Sequence, residues 1–155
     1  MIHRDEYLGW AVEAAEYLRR SGLGPCDVAV QCGSGLSGLL ATLSGDAAGG
    51  DVSSVEMANV PHLKAAGVRG HGRIVAGLSA GGKRVLVFAG RLHLYEGHSG
   101  LDVAFPAAIA SAAGAKLFIA TNAAGALNQH MRGGEAMLHS DFISFQREQC
   151  IEELH

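Results

Sequence analysis

The chain has 155 residues, of which 48% are hydrophobic and 17% charged, with 22 glycines and a formal net charge of −3. This length can enclose one hydrophobic core, so residues 1–155 are predicted to form a single globular domain, neither disordered nor fibrous. The sequence has no block of like charges, which argues against nucleic acid as a partner. It shows neither an apolar leader nor a long apolar span, so no membrane segment is predicted. The cysteines form no paired motif, which predicts a cytoplasmic protein with reduced thiols.

The first predicted elements are a helix and a strand. The predicted helix at 5–21 places four apolar side chains on one face: Leu8, Ala11, Ala15 and Leu18. Residues 27–32 predict a short strand, which leads into a glycine-rich loop at 33–38 and a short helix that ends near residue 43. Residues 60–71 lack a clean period and predict a loop.

Further along, residues 73–78 and 83–89 flank two glycines and predict a β-hairpin. A helix is predicted at about 101–113, on the condition that Pro106 lies near its first turn. A third strand is predicted at 116–121, and the polar stretch from residue 146 predicts a short terminal helix. This alternation favours an α/β fold, with a mixed sheet flanked by helices and a ligand site outside the carboxyl ends of the strands.

The first candidate site motif is Gly33-x-Gly35-x-x-Gly38, which follows a predicted strand. This pattern also fits a dinucleotide fingerprint, with Glu56 near the distance of a ribose-binding acid, and it is compatible with a plain turn that binds nothing. Ser34 favours phosphate, because a hydroxyl beside exposed backbone N–H groups at a helix N-terminus suits that anion.

The second motif is the octapeptide 90–97. Arg91 and His93 lie two residues apart at a strand end, so both side chains leave the same face and can form an oxyanion clamp. Tyr95 continues that face, whereas Glu96 points the other way by simple alternation unless the loop reorients it. The alternative is an exposed arginine and histidine at an ordinary turn.

The third motif is Asn122-Ala123-Ala124-Gly125, where small residues would let the backbone approach a ligand. The alternative is an ordinary transition from a strand to a turn. No metal site is predicted, because the histidines of the central region lie on separate loops without the spacing of metal ligands: His62, His71, His93 and His98.

Four ordered motifs together resemble the trimeric purine nucleoside phosphorylases. They are Gly33-Ser34-Gly35-Leu36, Gly70-His71-Gly72, Gly90-Arg91-x-His93-x-Tyr95-Glu96-Gly97-x-Ser99 and Thr121-Asn122-Ala123-Ala124-Gly125-x-Leu127-Asn128. The resemblance runs from about residue 28 to residue 145 and implies a phosphorylase/hydrolase-like fold. It makes the dinucleotide-binding hypothesis for residues 33–38 the less favoured one.

The resemblance implies a role for each matched position. The implied phosphate-binding residues are Ser34, His71, Arg91, His93, Asn122 and Ala123, and the catalytic residues are His93 and Glu96. Tyr95 would contact ribose, and Ala124 and Gly125 would border the purine. The substrates would be a purine nucleoside and inorganic phosphate, with no cofactor, in a homotrimer.

Members of this family continue well beyond the equivalent of residue 155, and the resemblance implies that this chain is only their N-terminal part. The family's purine-binding residues would then lie outside it. Two hypotheses follow: an enzyme whose activity needs a further portion, or a catalytically dead protein that binds phosphate or a partner through exposed apolar surface.

Overall fold

The computed structural model describes residues 2–33, 36, 52–64 and 74–145. Within these ranges there are two α-helices and five strands: α1 (Arg4–Arg20), β1 (Val28–Gln31), β2 (Ser53–Glu56), β3 (Ile74–Ala80), β4 (Lys83–Phe88), α2 (Gly100–Ala112) and β5 (Leu117–Ala120). The short helix predicted to end near residue 43, the terminal helix and most of the loop at 60–71 lie outside the described residues. No helix within these ranges is long and apolar enough to cross a membrane.

The five strands form one mixed sheet in the order β2-β3-β4-β1-β5. Strand β1 is parallel to both β4 and β5, whereas β3 is antiparallel to β2 and β4. The predicted mixed α/β sheet is therefore confirmed. Because β1, β4 and β5 run in the same direction, their carboxyl ends lie at one edge of the sheet.

The predicted hairpin is confirmed, and its first strand extends to Ala80. Ala80 pairs with Lys83, so the turn contains only Gly81 and Gly82. Both glycines have positive φ, 55° and 72°, which matches the twist that a two-residue hairpin loop requires and which other residues rarely adopt.

Strand β2 was not expected from the sequence. It pairs in antiparallel register with β3 from Ser53↔Gly77 to Glu56↔Ile74. It lies at the edge of the sheet and its side chains are mostly exposed, so it lacks the alternation of apolar and polar residues by which a strand is recognised.

Both helices pack on the same face of the sheet. Their buried side chains share one core with side chains of β1, β3 and β4; this core includes Ala11, Leu18, Leu86, Phe88, Phe105 and Ile109. The predicted inward position of Leu8 is wrong, because Leu8 is 46% exposed and the buried stripe of α1 begins instead at Tyr7. The Tyr7 hydroxyl donates to the Leu101 carbonyl at 2.9 Å and so joins α1 to α2.

Helix α2 begins at a capping box. Ser99 Oγ accepts from the Asp102 backbone N–H, and Asp102 accepts in return from the Ser99 N–H. The condition placed on Pro106 is wrong, because Pro106 is the seventh residue of the helix, which runs on to Ala112. Pro106 cannot donate to the carbonyl four residues earlier, and it is buried within the helix.

Candidate functional site

The predicted convergence of three strand ends is observed, and Thr121 joins two of them. The Thr121 backbone N–H and hydroxyl both donate to the Gln31 carbonyl, at 3.1 and 3.2 Å. The same hydroxyl accepts from the Gly33 backbone N–H at 2.9 Å. The loop after β1 is thus fixed to the loop after β5.

Gly33 is required by this close approach. A Cβ added to Gly33 would overlap the Thr121 carbonyl oxygen and lie 3.0 Å from the Thr121 carbonyl carbon and 3.1 Å from Asn122 Cα. Packing against Thr121 and Asn122 therefore requires glycine at this position, in addition to any role that Gly33 has in binding a ligand. Ser34, the predicted phosphate ligand of this loop, lies outside the described residues.

Arg91 links the third strand end to the other two. It follows β4 after Gly90, whose φ of 138° turns the chain away from the sheet. Arg91 Nη1 donates to the Thr121 carbonyl at 3.3 Å, and its Nε donates to His93 Nε2, also at 3.3 Å. Since β1 lies between β4 and β5, the guanidinium spans the carboxyl end of β1.

Glu96 folds back onto His93. Residues Leu94–Glu96 form a 3-10 turn that ends at Gly97, which has a φ of 85°. Glu96 Oε2 accepts from the His93 backbone N–H at 3.0 Å and lies 3.3 Å from His93 Nδ1. Simple alternation is wrong for Glu96, because the chain leaves the extended conformation at this turn and the loop reorients the carboxylate.

The exposed group beside this cluster is Tyr95. Its ring stacks on the His93 imidazole, with centroids 4.7 Å apart and planes inclined by 20°. The Tyr95 residue is nevertheless 84% exposed. It therefore buttresses one side of His93 while presenting most of its surface to solvent.

The loop after β5 is open. Asn122 Nδ2 donates to the neighbouring Ala123 carbonyl at 3.3 Å, and residues 122–130 are exposed. Ala124 and Gly125 lie in this exposed stretch. Large apolar side chains further along are also exposed: Leu127, Met137, Leu138, Phe142, Ile143 and Phe145.

Of the other histidines in the sequence analysis, one lies outside the described residues, one lies apart from this cluster and one adjoins it. His71 lies outside the described residues. His62 stacks on Trp10 with centroids 5.1 Å apart, and its Nε2 lies 2.8 Å from Glu13 Oε2. His98 Nε2, in contrast, lies 3.9 Å from Glu96 Oε2 and extends the cluster by one residue that had no predicted role.

Thr121 is the main residue that sequence reasoning undervalued. The sequence analysis named Thr121 only as the first residue of a motif. In the structure its N–H, hydroxyl and carbonyl each contact another part of the site. A hydroxyl residue at the end of a strand that precedes a small-residue loop is the signal that could have identified it.

The sheet order argues against the dinucleotide alternative. That fold places the ribose-binding acid at the end of the strand next to the glycine-rich one. Glu56 ends β2, and β3 and β4 separate β2 from β1. At about 4.8 Å per strand, Glu56 lies some three strand spacings from the loop after β1.

Comparison with known proteins agrees with this geometry. The family model of the phosphorylase superfamily matches residues 27–150. The chain belongs to the phosphorylase superfamily. The purine nucleoside phosphorylase of Mycobacterium tuberculosis is 38% identical to it over 125 residues, which are 81% of this chain and 45% of that protein. The mouse purine nucleoside phosphorylase is 35% identical over 136 residues, which are 87% of this chain and 42% of that protein.

Solved phosphorylase structures have the same fold. Isoform 2 of the purine nucleoside phosphorylase from Schistosoma mansoni, solved with cytosine and ribose-1-phosphate, superposes with a TM-score of 0.68 at 29% identity. The match covers 82% of this chain and 42% of that one. The predicted family resemblance and fold are therefore confirmed, and the chain spans less than half the length of the relatives it matches.

Proposed function

We propose that the chain supplies the phosphate-binding part of a purine nucleoside phosphorylase site. The reaction would cleave the N-glycosidic bond of a purine nucleoside with phosphate, yielding free purine and ribose 1-phosphate. The observation that carries the proposal is the Arg91 guanidinium, which spans the edge of β1 and contacts both His93 and the Thr121 carbonyl. Similarity to purine nucleoside phosphorylases supports the choice of reaction.

In this proposal Arg91 is the main anion-binding group. A guanidinium carries five N–H donors and stays charged, so it can bind two phosphate oxygens at once. Its contacts with His93 and with the Thr121 carbonyl are both at 3.3 Å, which is long for a hydrogen bond. His93 lies beside the anion, and Glu96 positions the His93 ring.

The remaining ligands come from the neighbouring loops. The backbone N–H of Ala123, the Asn122 side chain and Ser34 would complete the phosphate site, with His71 closing over it. Tyr95 would contact the ribose, and Ala124 and Gly125 would border the purine. No cofactor enters this scheme, because inorganic phosphate is itself the second substrate.

The chemistry requires phosphate to be held against the anomeric carbon. Phosphorolysis passes through a ribosyl cation, so an anchored anion both orients the nucleophile and stabilises the positive charge. Tyr95 stacks on His93 and is mostly exposed, which supports its proposed contact with the ribose. The leaving purine would need groups beyond those assigned here.

Calorimetric titration with inorganic phosphate tests the anion site. We expect Arg91→Ala to weaken phosphate binding at least about tenfold, since a lost charged hydrogen bond costs roughly 1.5–3 kcal/mol. Arg20→Ala is the matched control, because Arg20 lies in the last turn of α1, away from the cluster. Equal phosphate affinity in Arg91→Ala and the unsubstituted protein would defeat the proposed clamp.

The second candidate function is a catalytically inactive protein that binds phosphate or a partner. It is favoured by the exposed apolar side chains between Leu127 and Phe145, which could contact a partner. An assay of inosine or guanosine cleavage separates the two. Phosphate-dependent release of free purine by this chain would exclude the inactive alternative.

Location and assembly are further parts of the proposal. We propose that the protein lies in the cytoplasm, where its three cysteines would stay reduced, and that it forms a homotrimer, as the family resemblance implies. Light scattering on the purified chain tests the assembly, and a monomer at assay concentration would contradict it.

A further inference from the structure

We infer that this site selects a tetrahedral oxyanion that carries a proton, such as hydrogen phosphate, over a fully ionised one, such as sulfate. The inference rests on the proposed phosphate site and concerns its specificity. It is carried by the position of the His93 imidazole between a group that only donates hydrogen bonds, Arg91, and a group that only accepts them, Glu96.

The Glu96 side of the ring determines where its proton lies. The Glu96 carboxylate is held by the His93 backbone N–H, 3.0 Å from Oε2, and the same oxygen lies 3.3 Å from His93 Nδ1. An ionised carboxylate has no proton to donate. The contact is therefore a hydrogen bond only if His93 Nδ1 carries the proton.

The Arg91 side of the ring requires the same arrangement. Arg91 Nε donates to His93 Nε2 at 3.3 Å, and a guanidinium cannot accept a hydrogen bond. Nε2 therefore holds a lone pair. A proton on Nε2 would set two N–H groups against each other, so both neighbours favour the neutral Nδ1–H tautomer.

The lone pair then faces any anion bound to Arg91. An oxyanion that replaces His93 as the partner of Arg91 Nε would place one oxygen next to Nε2. A protonated oxygen can donate to that lone pair, whereas a bare oxygen is repelled by it. Phosphate keeps one proton at mildly alkaline pH and sulfate keeps none, while the two ions have nearly the same size and shape.

The comparison of three anions tests this selectivity. We would titrate the full chain with phosphate, arsenate and sulfate at mildly alkaline pH and constant ionic strength. We expect phosphate and arsenate, which both retain a proton, to bind at least about tenfold more tightly than sulfate, the factor that one hydrogen bond of this kind supplies. Nitrogen NMR of the His93 ring should show the Nδ1–H tautomer without added anion.

A substitution at His93 separates its acceptor role from general loss of binding. His93→Gln puts an amide near the place of Nε2, and the amide can rotate to present either a donor or an acceptor. We expect its affinities for phosphate and sulfate to become nearly equal. His130→Gln is the matched control, because His130 is exposed in the 122–130 stretch, and it should keep the preference of the unsubstituted protein.

Each outcome has a distinct meaning. If sulfate binds the unsubstituted protein as tightly as phosphate and both depend on Arg91, the selectivity is refuted and the proposed phosphate site stands. If no anion binds, both ideas are refuted. A His93 ring protonated at Nε2, or an unchanged preference in His93→Gln, refutes the role of His93. The NMR and three-anion measurements need no variant, so they decide the matter even if His93→Gln does not fold.

Discussion

The contact between Gly33 and Thr121 makes Gly33→Ala the most direct test of how the site is built. The added methyl group would overlap the Thr121 carbonyl oxygen and press on the Thr121 carbonyl carbon and Asn122 Cα, which are all backbone atoms. Backbone cannot move aside as the end of a flexible side chain can. Relief therefore requires the loops after β1 and β5 to separate.

That separation has a cost that can be worked out from the contacts. Overpacking of this kind costs about 1–3 kcal/mol, and losing the Gly33 N–H bond to Thr121 Oγ1 costs about 1 kcal/mol more. We expect Gly33→Ala to lower the free energy of unfolding by about 2–4 kcal/mol. The loss should be measured by urea denaturation, with unchanged slope and a lower midpoint.

The same substitution at Gly9 is the matched control. Gly9 lies within α1, where an added Cβ meets no described heavy atom within 4 Å, so Gly9→Ala should stabilise the protein by about 0.5–1 kcal/mol. If Gly33→Ala lowers the free energy of unfolding and Gly9→Ala raises it, the effect at Gly33 comes from its contact with Thr121. A Gly33→Ala protein as stable as the unsubstituted chain would refute the close approach of the two loops.

Three further predictions concern stability. Gln31→Leu should raise the free energy of unfolding by about 1 kcal/mol in urea, because Gln31 Nε2 is buried without a hydrogen-bond partner in the described part of the chain. Ser99→Ala should lower it by about 1 kcal/mol in the same assay, because it removes the cap of α2. Burial raises the pKa of Asp102, but hydrogen bonds from Lys64 and Ser99 outweigh it, so the folded pKa lies below the ordinary value of 3.8. The stability that Asp102 contributes is therefore present above pH 3.8 and is lost as the pH falls through the folded pKa. Urea denaturation at neutral and acidic pH should show that acid lowers the free energy of unfolding less in Asp102→Asn than in the unsubstituted protein.

Local sequence signals predicted those parts of the fold that depend on a few adjacent residues. The hairpin followed from Gly81 and Gly82, since a two-residue turn with positive φ has few other solutions. The common direction of β1, β4 and β5 followed from the alternation of strands and helices. Strand β2 could not be predicted because its pairing with β3, and not its own pattern, holds it in the sheet.

The sequence indicated which residues come together in the candidate site better than it indicated the contacts between them. Arg91 and His93 come together as their spacing indicated. Simple alternation fails at Glu96 because the chain leaves the extended conformation at the 3-10 turn, which is the alternative that the sequence analysis left open. Leu8 was placed on the wrong face because the buried stripe of α1 includes Tyr7, one residue or about 100° away. Local sequence could mark Thr121 as a hydroxyl residue at a strand end, but it could not identify Gly33, 88 residues away, as its hydrogen-bond partner.

The contacts of the candidate site support one part of it more firmly than another. Gly33, Arg91 and Thr121 are held to one another by bonds that all lie within the described strands and loops. Their geometry depends on the register of β1 with β4 and β5, which the sheet itself maintains. The exposed loop at 122–130 has no comparable support in the described residues. The contacts of Arg91 with Thr121 should therefore need only an intact sheet. The phosphate ligands proposed at Asn122 and Ala123, and the proposed purine contacts of Ala124 and Gly125, should need this loop to be ordered as well.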